Sequence, residues 1–183
     1  MSKFYKEITT DRLPLIQKEV VEYLNLKYIT AIHLDINPED ILSKCPQLKL
    51  FLTSINVLHC IALIRTVVLL AHDRLAPHTD GGAENPRCLA LNIPLLHCEN
   101  SLTTFYKKKN PFKKGKEAHN AKLNYSYTSF DDDSVKAVES LVLTHPTLLR
   151  VNEIHSVENN SDRIRYCLTI RFAPEPLELF NIG

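Results

Sequence analysis

The sequence predicts a mainly β protein: a two-sheet jelly roll with helices packed on the outside of one sheet. Three observations point there. From His59 onward, β-branched apolar runs alternate with short polar turns seven or eight times, the texture of an all-β sandwich or barrel. The first 58 residues instead carry helical spacing. In the last run, Arg165, Cys167, Thr169 and Arg171 alternate with Ile164, Tyr166, Leu168, Ile170 and Phe172. One face of that strand suits a cavity and the other suits packing beneath helices.

Taken in order, Asp11 is placed to cap a helix in which Leu13, Ile16, Val20 and Leu24 share one stripe, running to about Leu26. Tyr28 to Ile36 reads as a strand. Around His33, Ile32, Leu34 and Ile36 alternate with His33, Asp35 and Asn37, which predicts a half-exposed strand with its polar side outward. Asn37-Pro38-Glu39-Asp40 starts a second helical stretch, with proline in the first turn and acids favoured by the helix dipole. Pro46 interrupts that stretch, which resumes toward Ile55. The strands of the β region are expected at 60–70, 75–80, 88–96, 102–107, 123–130, 135–143, 148–157 and 163–172. Residues 107–122 hold most of a lysine-rich run with proline, glycine and almost no apolar anchor, and read as an exposed mobile loop, a candidate lid or docking surface. The expected organisation is one domain over 1–183: helical and strand support at 1–58, a β core at 59–172, and the basic loop at 107–122 within it.

Composition narrows the function classes. A net charge of +1 gives no pull toward nucleic acid or an anionic membrane surface. No apolar run approaches the roughly 18 residues of a membrane span. Five cysteines without Cys-x-x-Cys spacing argue for reduced thiols and a cytoplasmic home, and against a zinc finger. There is no Gly-x-Ser-x-Gly nucleophile turn and no phosphate-binding glycine loop.

The chemistry concentrates in two stretches. In Ala76-Pro77-His78-Thr79-Asp80-Gly81-Gly82, residues two apart on a strand point the same way, so His78 and Asp80 converge while Thr79 turns away. The glycine pair permits the turn with which a strand end opens onto a site. His33-Leu34-Asp35 has the same spacing without that context. In the second stretch, His155 is followed ten residues later by Arg165, across a polar turn that lets both enter one cavity from successive strands. Two imidazoles and a carboxylate on one face of an octahedron leave coordination positions open, the set used by non-haem iron(II) oxygenases. His78, Asp80 and His155 are therefore the candidate iron ligands. Arg165 is the candidate for holding a carboxylate beside them through its planar fork of donors.

This pattern resembles the iron(II)/2-oxoglutarate dioxygenase superfamily, and within it the aspartyl/asparaginyl β-hydroxylase branch. The likeness spans roughly residues 60–172. It implies a double-stranded β-helix of cupin-like form, Fe(II) and 2-oxoglutarate as cofactors, and Arg87 and Arg165 both contacting the cosubstrate. Asp80 stands where the animal hydroxylases have glycine, so the chain is closer to the bacterial amino-acid hydroxylases, which keep the full triad. Leu89 stands where the branch has histidine. Asn92 and Tyr106 fall on strands expected to line the barrel, where each could hydrogen-bond cosubstrate or substrate. The implied activity is O2-dependent hydroxylation of an amino acid or of a protein or peptide side chain, releasing succinate and CO2. The alternative is a non-catalytic cupin-type protein that binds a metal or a small acid with the same residues; Asp80 and Arg165 favour the oxygenase.

Overall fold

A computed structural model describes residues 2–26, 33–82, 85–86, 88–120 and 125–181. In chain order its elements begin with β1 (Tyr5–Glu7), α1 (Leu13–Leu24), β2 (His33–Ile36), α2 (Pro38–Lys44), α3 (Pro46–Ser54), β3 (Ile61–Leu69), β4 (Arg74–Gly82), β5 (Asn85–Pro86) and β6 (Leu89–Leu96). They continue with β7 (Ser101–Lys108), β8 (Lys116–Asn120), β9 (Tyr125–Ser129), β10 (Val135–Val142), β11 (Thr147–Arg150), β12 (His155–Asn159), β13 (Arg165–Phe172) and α4 (Glu178–Asn181). The strands form two antiparallel sheets. The first runs β1-β11-β6-β13-β3-β2, so β13 lies between β3 and β6. The second runs β10-β7-β12-β4-β9-β8, with β5 attached to β4. The molecule is the expected jelly roll.

The N-terminal helices are amphipathic for local reasons and cover the first sheet. In α2, the Asn37 side chain accepts from the Glu39 and Asp40 amides, and Pro38 occupies the first turn, where its missing N–H costs nothing. Pro46 ends that helix and starts α3. In α1 the cap is Arg12, not Asp11, and no side chain closes the first turn. The buried faces of these helices, Ile16, Val20, Ile41, Leu48, Phe51 and Leu52, meet Ile64, Val68, Leu91, Ile93, Tyr166, Leu168 and Ile170 of the sheet. Each fully buried side chain of this size contributes about 1.5–3 kcal/mol. A second cluster fills the space between the sheets, with Phe4, Ala90, Leu149 and Cys167 against Phe105, Leu141 and Leu143. The two clusters fix the faces of β13: Leu168 and Ile170 look to the helices, while Arg165, Cys167, Thr169 and Arg171 look inward.

Three further expectations are corrected. Residues 148–157 are not one strand. β11 belongs to the first sheet and β12 to the second, with a turn at 151–154 between them. Apolar residues on both sides of Asn152-Glu153 hide the change because both halves bury side chains; only backbone pairing distinguishes them. The 107–122 segment is not all loop either, since 107–108 end β7 and 116–120 form β8. The remaining loop is tied down. The Lys109 amide donates to the Ser134 carbonyl, Lys113 and Lys116 pair with Asp131, and Lys108 lies over the Phe130 ring. A Cβ on Gly115 would strike Thr128, which pairs with outward-facing Thr79, so the loop crosses the sheet face opposite to His78 and Asp80. Finally, the polar side of β2 faces inward. Its partners Val67 and Arg65 share the inward face of β3, whereas Ile36 joins the helix-side core.

Candidate metal centre

β4 and β12 are adjacent, and His78 sits directly opposite His155. Opposed residues in an antiparallel pair project from the same face, and the two imidazole rings lie 4.4 Å apart. Asp80, two residues along β4, is on the same face; its Oδ1 is 3.4 Å from His78 Nε2. One ligand atom from each of His78, Asp80 and His155 can be chosen so that all lie within 4.8 Å of one another. The site is walled in: Asp80 is 3% and His155 5% exposed.

Protons decide whether such a cluster can hold a cation. His78 Nδ1 is 2.7 Å from the Ala76 carbonyl oxygen, and His155 Nδ1 is 3.0 Å from that of Glu153. A carbonyl only accepts, so both Nδ1 atoms carry the hydrogen and both Nε2 lone pairs are left for the centre. Burial opposes ionisation of Asp80. Arg171 foremost, then His78 and His155, outweigh it and hold the carboxyl well below the usual carboxylate range. Burial, with His78 beside it, pushes the His155 pKa down to about 4. Burial disfavours charge on His78, but Asp80 beside it outweighs this and raises the His78 pKa, so a bound cation takes the place of that proton. Two imidazole Nε2 atoms turned to the centre and one ionised carboxylate are the donor set that iron(II) takes, and the residues fit the metal.

Arg171 comes from the opposite sheet and donates from Nη2 to Asp80 Oδ2. The alternation of the last strand put Arg171 on the cavity face, but its pairing with Asp80 crosses between sheets and no local spacing announces it. Tyr127 is the other residue missed. It lies opposite Asp80 on β9, with its ring edge-on to His78 at 6.3 Å.

The other expected residues separate. Arg165 is 2% exposed at the far end of β13 from Arg171. Its Nε donates to Ser101 Oγ at 3.0 Å, and the Ser101 hydroxyl donates onward to the Cys98 carbonyl. Among the described residues no carboxylate lies within ion-pair range of it. Asn92 faces inward, partly exposed, and accepts from the Thr169 hydroxyl at 2.9 Å. Tyr106 does not line the interior. Its neighbour Phe105 takes the inward position, so Tyr106 projects outward and bonds Ser156 across the strand pair. Arg87 lies outside the described residues.

Neither a protein-family model nor a curated protein sequence matches the chain. Solved structures do. The non-heme alpha ketoglutarate dependent carbocyclase SnoK of nogalamycin biosynthesis aligns with TM-score 0.52 at 13% identity, covering 94% of this chain and 84% of that one. A prolyl hydroxylase from Trichoplax adhaerens, in complex with a hypoxia inducible factor peptide fragment, aligns with TM-score 0.53 at 10% identity, covering 93% and 84%. The epimerase SnoN, with Fe3+, alpha ketoglutarate and nogalamycin RO, aligns with TM-score 0.51 at 11% identity, covering 92% and 78%. The fold is theirs. At these identities the likeness speaks for the architecture alone. Among the described residues no helix is long and apolar enough to cross a membrane.

Proposed function

We propose that the protein is an iron(II)- and 2-oxoglutarate-dependent dioxygenase that hydroxylates an amino acid or a protein or peptide side chain. The observation that carries this reading is the convergence of His78, Asp80 and His155 on one point, with both imidazole Nε2 atoms freed by backbone acceptors. The neighbours described as dependent on alpha ketoglutarate lend the same fold to the same chemistry. Iron(II) with 2-oxoglutarate would supply oxygen-dependent C–H oxidation with release of succinate and CO2.

The chain's own residues divide the remaining work. His78, Asp80 and His155 hold the metal. Arg171 orients the Asp80 carboxylate and keeps it ionised. Arg165 takes the distal carboxylate of 2-oxoglutarate. An arginine this buried without an acid beside it is costly, and a bound dicarboxylate would relieve that cost through two parallel hydrogen bonds. Asn92 and Thr169 offer further hydrogen bonds along the same wall. Arg87 remains a second candidate for the cosubstrate, by its likeness to the hydroxylase branch, and Tyr106 acts at most through Ser156. Five free thiols suit a reducing cytoplasm.

Two measurements test this. The first is iron stoichiometry together with succinate formed from 2-oxoglutarate. His78→Ala and His155→Ala should lose both, while His72→Ala, an exposed histidine paired with Asp162, should keep both. Iron bound by the wild-type protein without succinate from any trial substrate would favour the non-catalytic binding protein instead. The second is 2-oxoglutarate affinity of the iron-loaded, oxygen-free protein. A charge-assisted hydrogen bond is worth about 1.5–3 kcal/mol, so Arg165→Ala should weaken binding on the order of 100-fold, and Arg165→Lys by less. A folded Arg165→Ala protein with unchanged affinity would assign the carboxylate to another arginine.

A further inference from the structure

The inward face of the first sheet carries one unbroken polar row. Reading across all six strands, Glu7 pairs with Thr147, Thr147 with Asn92, Asn92 with Thr169, Thr169 with Arg65, and Arg65 with Asp35. Rows on either side are mostly apolar, such as Leu63, Arg171, Ala90 and Leu149, or Val67, Cys167 and Pro94. A polar row across an interior face is costly unless it is satisfied or serves a ligand. Most of it is satisfied internally: Thr169 bonds Asn92, and Thr147 bonds the His145 carbonyl.

The row ends at β2, the last strand of the sheet among the described residues. There Arg65, 10% exposed at its side chain, donates from Nε and Nη2 to the two oxygens of Asp35 at 2.5 and 3.1 Å. That bidentate grip fixes the carboxylate plane. Asp35 itself is 47% exposed, so its outer lone pairs meet solvent. Two residues along β2, on the same face, His33 Nδ1 is buried without a hydrogen-bond partner. Arg65 pairs with Thr169, and two residues along β13 on the same face Arg171 donates to Asp80, so this end of the row runs beside the metal residues. Burial, then the Arg65 charge, lowers the His33 pKa, with Asp35 and Asp80 opposing.

We propose that Asp35, clamped by Arg65 on the inward edge of the sheet, is the substrate-recognition subsite and takes the ammonium or guanidinium group of a cationic substrate. This rests on the oxygenase reading, because it is the nearby metal centre that makes this wall the substrate side. The chemistry selects the group. A carboxylate whose inner lone pairs are held by arginine still accepts from N–H donors on its open side, and a charged donor gains most. His33, kept neutral, adds no competing positive charge. A free basic amino acid and a basic side chain of a peptide present the same group.

The test uses protein loaded with Mn(II) and 2-oxoglutarate. The probes are free L-arginine and L-lysine, their Nα-acetylated amides, and the neutral isosteres citrulline and norleucine. Binding is read from paramagnetic broadening of probe protons, which needs no turnover. The cationic probes should saturate the broadening and bind at least tenfold more tightly than their neutral counterparts. Asp35→Asn should lose that preference and Asp35→Glu should restore part of it. Binding of free amino acids only would identify a small-molecule substrate; binding of the blocked forms would identify a peptide side chain. Cationic and neutral probes of equal affinity on the wild-type protein would overturn the proposal, even if Asp35 variants misfold. So would a folded Asp35→Asn protein that keeps the preference. Failure of the wild-type protein to bind metal and 2-oxoglutarate would instead overturn the oxygenase reading, and is seen before any probe is added.

Discussion

Arg171 shows how much one side chain can decide. It brings a guanidinium from one sheet to a carboxylate on the other that is 3% exposed. Deleting one partner of a buried pair leaves the other charge without compensation, at about 3 kcal/mol. Arg171→Ala should therefore destabilise the metal-free protein by about that amount in urea unfolding. With Mn(II) saturating, the loss should shrink, because the cation takes over Asp80's charge. An equal loss with and without metal would mean that Arg171 only packs. At this scale the sequence speaks clearly where chemistry is local. The two-residue spacing of His78 and Asp80 puts them on one strand face whatever the rest of the chain does. It is silent on the pairing of Arg171 with Asp80 and on Tyr127, which depend on which strands and sheets become neighbours. It misleads on Tyr106 because alternation has two phases, and Phe105, with no hydroxyl to satisfy, takes the buried one.

Among the elements, the β7–β8 connection is the most informative. Six lysines between 107 and 116 predict a solvated loop, yet acids at 131 and 133 hold two of them. Gly115 lets the backbone lie against β9: a Cβ there would meet the Phe130 ring at 2.8 Å as well as Thr128. Gly115→Ala should cost about 1–3 kcal/mol by overpacking. It should also speed trypsin cleavage between Lys107 and Lys116, with metal stoichiometry unchanged because the loop lies on the face away from His78. Slower cleavage would show that the alanine is accommodated. Charge composition marks this loop but not its partners, which lie some twenty residues further along the chain. The turn at 151–154 is opaque for a related reason. Leu148, Leu149, Val151, Ile154 and Val157 recur on both sides of Asn152-Glu153, and two polar residues alone do not record a change of sheet.

Across the whole molecule, periodicity defined two sheets and a helical layer because each layer buries one face. It turned the polar face of β2 outward, the wrong way, since alternation alone does not say which side of an edge strand faces in. The inward choice has a measurable result. His33 has a pKa below its ordinary 6.5 when folded. The unfolded chain then binds more protons just below that value, so stability rises with pH there and is lost as pH falls from about 6.5 toward the folded value. In the metal-free protein, His33→Asn should flatten the decline in unfolding free energy between pH 7 and 5, and an unchanged slope would place His33 in solvent. The position of β13 reaches further, into the order of assembly. It comes after every other strand of the described residues yet lies inside its sheet, between β3 and β6. Until it docks, those two strands each present an unpaired edge, the kind of surface that recruits other chains. The strand that closes the gap also delivers Arg165 and Arg171. Chains that lack it would carry His78, Asp80 and His155 with neither guanidinium and with two sticky edges, so completing the sheet and completing the site are one event in folding.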